Sequence, residues 1–160
     1  VYGPGDLHKL KMFKAVKNGR FPLIGGGKSL LHPTYVDDII DGFMLAVDNP
    51  AAFGRTFHLA GPEPVSIARL VDVICSTLNI RPSRMQIPTA AAKAAATGAE
   101  ILAWAMKKTP ALTRYQVDFF SRDHASDISL ARRLLGYQPN INIEEGIKIT
   151  IGWYKEQGLL

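Results

Sequence analysis

The sequence is poor in several features that would each point to a function. It holds one cysteine, Cys75, in 160 residues, which excludes an internal disulfide framework and a cysteine-rich zinc site; Cys75 is expected to be a core thiol. It has no block of basic residues and no aromatics interleaved with a basic stripe. Its formal net charge of +5 therefore fits a basic surface or an anionic ligand, not nucleic-acid binding. It has no strongly apolar run of the roughly 20 residues that a membrane span needs. The least polar stretch, Thr89 to Met106, is mostly alanine and carries Lys93 and Glu100. A soluble helix broken near Gly98 is expected there, with a contact to a membrane surface as the alternative. No initiating Met, signal peptide or transit pattern stands before VYGPGD, so the expectation is a piece of a longer protein, working in the cytoplasm.

A phosphate-binding P-loop is also lacking, although Gly25-Gly26-Gly27-Lys28-Ser29 ends like one. The pattern requires glycine where Pro22 stands, and a helix directly after the serine. Leu30-Leu31-His32-Pro33 follow instead, and Pro33 pushes His32 toward extended geometry. The glycines read as a turn. His8, His32, His58 and His124 show no metal-ligand spacing. His124, Ser126 and Asp127 are close in sequence, but a catalytic triad is a spatial arrangement, and Asp127 reads better as a helix cap. Asp37, Asp38 and Asp41 are explained more simply by helix capping and the helix dipole than by a cation.

What remains is an ordinary globular composition, 47% hydrophobic and 21% charged, enough for one domain over residues 1–160 with a real core. VYGPGD reads as a loop. LHKLKMFKAVKNG reads as a helix ended near Asn18-Gly19. RFPLIGGGKS reads as a short extended run and a turn, and HPTYV as a second short strand. Asp37 is expected to cap a helix with Ile39, Ile40, Phe43, Met44, Ala46 and Val47 on one face and Asp38, Asp41 and Asp48 on the other. Asn49-Pro50 stops it, and RTFHLAG reads as a strand. Ser66 should cap a helix buried along Ile67, Leu70, Val71, Ile74 and Leu78. TRYQVDFFSRDHASD reads as a short helix or strand plus loop. Asp127 and Gly136 bracket SLARRLL, and YQPNIN is a loop. Ile143, Ile147, Ile151 and Tyr154 line a last helix ending near Gly158. The fold class is α/β, in an α+β-like arrangement of helices with a few short strands.

Four segments, in order, resemble the C-terminal part of the extended short-chain dehydrogenases/reductases, the NAD-dependent epimerase/dehydratase group. They are VYGPGD, GGGKSLLHPTYVDDIIDG, FHLAGPEPVSIARLVDVI and DISLARRLLGYQPNINIEEGIKITIGWY. The resemblance covers nearly the whole chain. It implies a substrate-binding lobe whose N-terminal NAD(P)-binding Rossmann domain is absent. It implies NAD or NADP in the full-length enzyme, and no cofactor bound by this lobe alone. The family's glycine-rich dinucleotide turn is not found, nor is its Tyr-x-x-x-Lys pair. Residues four beyond Tyr2, Tyr35, Tyr115, Tyr137 and Tyr154 are Asp6, Ile39, Phe119, Ile141 and Gly158. No catalytic residue is therefore assigned, and the chain alone is expected to be inactive.

The resemblance also assigns candidate substrate-binding residues. Tyr35 holds the family's ligand-facing position, and Tyr2 lies in the loop after the sixth Rossmann strand. Arg122 resembles the arginine that contacts the phosphate of nucleotide sugars, a group that guanidinium matches in a bidentate way; Arg114 is a second candidate. A nucleotide sugar is the favoured small-molecule substrate. Leu31 and His32 stand where nucleotide-sugar epimerases often carry Arg-Asp, and the Thr89–Met106 segment resembles the steroid and dihydroflavonol reductase branch. A 3β-hydroxysteroid dehydrogenase-like or dihydroflavonol-reductase-like lobe is thus the alternative, and a stand-alone non-catalytic binding module is a further one. The helix after Tyr35 and the FHLAG segment are expected to face the absent lobe and, without it, to expose apolar surface that favours self-association.

Overall fold

The computed structural model describes every residue except Arg84 and Ala111. Helices dominate: α1 (Leu10–Lys17), α2 (Val36–Val47), α3 (Ile67–Thr77), α4 (Thr89–Ala105), α5 (Arg114–Phe119), α6 (Ser129–Leu135) and α7 (Ile143–Glu156). The strands are two residues each: β1 (Leu23–Ile24), β2 (Leu30–Leu31), β3 (Val65–Ser66) and β4 (Gln86–Ile87). β1 pairs with β4 in parallel, and β2 with β3 antiparallel. The expected α/β architecture, mostly helix with short strands, is borne out.

The main core lies where α1, α3 and α7 meet. Phe13, Ile74, Ile147, Ile151 and Tyr154 are almost fully enclosed there. Burying an isoleucine of this kind contributes about 2 kcal/mol. A second cluster gathers α6 and Tyr137 around Ala60, and a third joins Ile24, Ala92, Ala96 and Val117 between α4, α5 and β1. Cys75 is a buried core thiol, and burial pushes its pKa up.

Several ends behave as their residues dictate. The Ser66 hydroxyl accepts the Arg69 N–H at 3.1 Å and starts α3. Gly136, left-handed at φ 71°, closes α6. Gly25, Gly26 and Gly27 all take positive φ, which only glycine tolerates in succession. They form a tight turn between β1 and β2, with no helix after it.

Other expectations fail for identifiable reasons. Tyr35, in extended geometry, is the N-cap of α2. Asp37 therefore lies inside the first turn, and its expected capping role is corrected. Asp127 accepts the Ser129 N–H at 2.8 Å, but from one residue before the true cap, Ile128. HPTYV is not a strand: pairing begins earlier, at Leu30–Leu31, and Tyr35 makes only a single bridge with Tyr2. RTFHLAG forms no ladder, since among the described residues nothing pairs beside it. α1 begins at Leu10 because Asp6 first draws the N–H groups of His8 and Lys9 into a turn. α4 runs unbroken through Gly98, a substitution that costs a helix only about 1 kcal/mol against alanine.

Candidate functional site

The N-terminal loop sets one wall of an apolar cleft. The Tyr2 N–H donates to the Thr34 carbonyl at 3.0 Å, and the Val36 N–H donates to the Tyr2 carbonyl at 3.0 Å. These bonds stitch residue 2 to the start of α2. The rings of Tyr2 and Tyr35 meet edge to face, with centroids 5.8 Å apart. Tyr2 lies directly over Gly146 of α7, where a Cβ would collide with its hydroxyl. Burial, and then the nearby Asp38 carboxylate, push the Tyr2 pKa well above its ordinary value. Tyr2 is a neutral phenol at physiological pH.

In front of Tyr2 opens a cleft of about 580 Å³ between α1, α5 and α7, a volume suited to a small organic ligand. Met12 and Phe13 line it from α1, Phe119 and Phe120 from the end of α5, and Ile143 and Ile147 from α7. Phe120 meets Phe21 edge to face at 5.8 Å and Phe119 at 5.4 Å. Phe119 stacks on His124 at 4.5 Å. The wall is mostly hydrocarbon and aromatic. Besides the Tyr2 phenol, its polar side chains are His8, Lys9, Lys11, His32, Gln116 and His124.

His32 is held by two bonds of opposite sense. Its Nδ1 accepts the Ser126 N–H at 3.2 Å, and its Nε2 lies 3.0 Å from the Gly61 carbonyl. A carbonyl can only accept, so the ring is neutral with its proton on Nε2. His32 thus ties together the segments before α2, before α3 and before α6, and has no free nitrogen to offer a ligand.

The candidate residues separate in space. Tyr2 lines the cleft. Tyr35 is buried against it and is not part of the lining. Arg114 lies outside, where its Nε donates to Glu100 at 2.7 Å and its backbone N–H donates to the same carboxylate at 2.8 Å. The backbone bond, with the side chain behind it, holds the Glu100 carboxyl below its usual range. Arg122 is exposed, outside the cleft, and without an ion pair among the described residues. Sequence reasoning missed Met12, Phe119 and Phe120, whose role comes from three helices converging; no local pattern marks it.

Gly25, Gly26 and Gly27 lead along the chain into β2, not directly into a helix as the glycine turn of a dinucleotide site does. Among the described residues no group of three or more His, Cys, Asp or Glu could hold a metal ion. No helix of the described residues is long and apolar enough to cross a membrane.

No family model matches the chain. It is 28% identical to the decarboxylating sterol-4-alpha-carboxylate 3-dehydrogenase of Schizosaccharomyces pombe, across 96% of this chain and 47% of that protein. It is 26% identical to the 2-alkyl-3-oxoalkanoate reductase of Shewanella oneidensis, across 92% of this chain and 40% of that protein. The crystal structure of UDP-glucuronic acid 4-epimerase from Bacillus cereus in complex with NAD matches with a TM-score of 0.65 at 20% identity, over 98% of this chain and 42% of that chain. The chain spans about half the length of the curated relatives it matches. These likenesses bear out the resemblance to extended short-chain dehydrogenases/reductases and the mixed α/β fold that it implies.

Proposed function

We propose that this chain is the substrate-binding part of an NAD(P)-dependent enzyme of the extended short-chain dehydrogenase type, and that its substrate is an apolar alcohol or ketone. The apolar cleft beside Tyr2 carries this reading. Phe119, Phe120, Ile143 and Ile147 offer a substrate dispersion contact and exclusion of water. The similarity to a sterol dehydrogenase and an oxoalkanoate reductase supports it. The order of the two substrate classes is thereby reversed from the one the sequence favoured.

The chemistry needs a second half. A dinucleotide bound by an N-terminal Rossmann domain supplies hydride transfer, and that domain brings the Tyr-x-x-x-Lys pair. The contribution of this chain is to bind and orient the substrate and to keep water from the reacting carbon. Alone it is inactive and binds neither NAD nor NADP.

A nucleotide sugar is the second reading. It is favoured by Arg122, exposed and unpaired among the described residues, and by the nucleotide-sugar enzymes among the similar structures. Calorimetry with a 3β-hydroxysteroid and with UDP-glucose separates the two. The first reading expects saturable steroid binding, weakened about tenfold by Phe119→Glu and unchanged by Arg122→Ala. Binding of UDP-glucose alone, lost in Arg122→Ala, overturns it.

A further inference from the structure

Beyond Tyr2, the polar side chains around the cleft are of three kinds. His32 has both ring nitrogens bonded, and Lys9 pairs with Asp6 at 3.8 Å. His8 and Lys11 are exposed, with no ion pair among the described residues. Gln116 and His124 differ from both. Each side chain is fixed by one bond to the protein, and each keeps a second polar atom that has no partner among the described residues. Both line the cleft.

The bonds already made decide which atoms are left. The Thr113 N–H donates to Gln116 Oε1 at 3.0 Å, and the Gln116 N–H donates to the Thr113 hydroxyl at 3.1 Å. This reciprocal box commits the amide oxygen, so the group left over is the Nε2 amine, a donor. His124 Nε2 lies 3.1 Å from the Phe119 carbonyl. A carbonyl only accepts, so Nε2 carries the proton, and in the neutral ring Nδ1 is left as an acceptor. One aromatic lies between the two. Gln116 stands a helical turn before Phe119 on α5, and the His124 ring stacks on Phe119 with centroids 4.5 Å apart. The His124 backbone is fastened as well, its N–H donating to the Leu30 carbonyl at 2.7 Å. Donor and acceptor are thus held in place before a ligand arrives, which lowers the cost of ordering them.

We propose that Gln116 and His124 are specificity-determining residues of the cleft, a donor–acceptor pair that reads one hydroxyl on an otherwise apolar substrate. Gln116 Nε2 donates to the hydroxyl oxygen, and His124 Nδ1 accepts the hydroxyl proton. A hydroxyl satisfies both atoms at once. A ketone or an ether satisfies only the donor, and a carboxylate or phosphate sets a lone pair against the lone pair of Nδ1. Discrimination follows because the analogue leaves a polar atom of the site unpaired. Neither residue is catalytic in this role: the hydroxyl keeps its proton and no covalent bond changes. The inference rests on the apolar-substrate reading of the cleft given above, and adds which polar group the substrate carries and what holds it.

The test is calorimetry of the intact chain with a 3β-hydroxysteroid and with its 3β-methyl ether, which keeps the oxygen as an acceptor and has no proton to give. The readout is the ratio of the two affinities. The wild type should bind the alcohol about fivefold more tightly than the ether. His124→Phe keeps the ring stacked on Phe119 and removes the acceptor, so the alcohol should lose about fivefold, the ether should be unchanged, and the ratio should fall to about one. Gln116→Glu keeps the Thr113 box, which glutamate also closes, and replaces the donor by an acceptor. It should weaken the ether more than the alcohol and so raise the ratio, an independent arm that does not need the His124 variant to fold. Circular dichroism verifies each variant. Equal binding of alcohol and ether by the wild type, or a ratio that neither variant moves, overturns the inference and leaves the apolar cleft standing. Binding of neither steroid overturns both.

Discussion

The Asp38 carboxylate accepts the backbone N–H of Asn140 at 2.8 Å, and its second oxygen accepts the N–H of Ile141 at 3.3 Å. Asp38 is only 2% exposed. A helix residue that the apolar pattern places on a solvent face is thus the clamp between α2 and the loop entering α7. Hydrogen bonds to a buried charge are worth more than neutral ones, and an orphaned N–H adds its own desolvation cost.

Asp38→Ala should therefore destabilise the fold by about 3 kcal/mol, and Asp38→Asn by less, since an amide oxygen can still accept one bond. Urea denaturation of the three proteins checks this. Equal stability of wild type and Asp38→Ala would remove the clamp from the account.

Tyr2 has no room to retreat. Any Cβ at position 146 would meet its hydroxyl and ring, so Gly146→Ala must push Tyr2 off α7 and toward the cleft. Overpacking of this kind costs typically about 1–3 kcal/mol. The substitution should lower thermal stability and weaken ligand binding in the cleft together. Tyr2→Phe, which removes the colliding oxygen, should recover part of the stability when combined with Gly146→Ala.

Alkaline pH should weaken the fold through two buried phenols. Burial pushes Tyr137 and Tyr154 up to about 12, and their hydroxyls donate to the carbonyls of Ala60 and Asp6. The unfolded value is about 10. The folded state prefers the protonated phenol, so this stability is whole below about pH 10 and is lost as pH rises toward about 12. Denaturation midpoints should fall across that window. The fall should be shallower in Tyr137→Phe and Tyr154→Phe, although each starts from lower stability.

The surface of α2 should drive self-association. Phe43 and Met44 are 62% and 69% exposed, with Ile40 and Val47 beside them on the helix. Sedimentation velocity should show the weight-average mass rising with concentration, and Met44→Glu should suppress the rise. A concentration-independent monomer for the wild type would show that this face needs no cover.

Legibility in the sequence followed the range of the forces involved. α3 and α7 could be read because their apolar stripes and the Ser66 cap are local. Gly136 could be read because a left-handed end selects glycine. The Asp38 clamp could not, because its partners lie in a loop that only the tertiary fold brings close. RTFHLAG has the composition of a strand, but a ladder needs a neighbour that composition does not supply. Tyr2 was singled out through family resemblance, and the fold places it in the cleft lining. Phe119 and Phe120 lay in a segment without clear periodicity, and they are cleft walls because α5 packs on α4 with its end across the cleft from α1. Arg122 kept its resemblance to a phosphate ligand while lying outside the cleft that its neighbours line.

The central claim is that the cleft between α1, α5 and α7 receives an apolar substrate. Methyl-resolved NMR of the chain labelled at its isoleucines tests this most directly, because Ile143 and Ile147 line the cleft and Ile39 and Ile40, on α2, are not part of its lining. The account predicts that a 3β-hydroxysteroid shifts Ile143 and Ile147 saturably and leaves Ile39 and Ile40 in place, and that UDP-glucose shifts none of them. Unmoved Ile143 and Ile147 signals at saturating steroid, with UDP-glucose perturbing the Arg122 backbone amide, would contradict it.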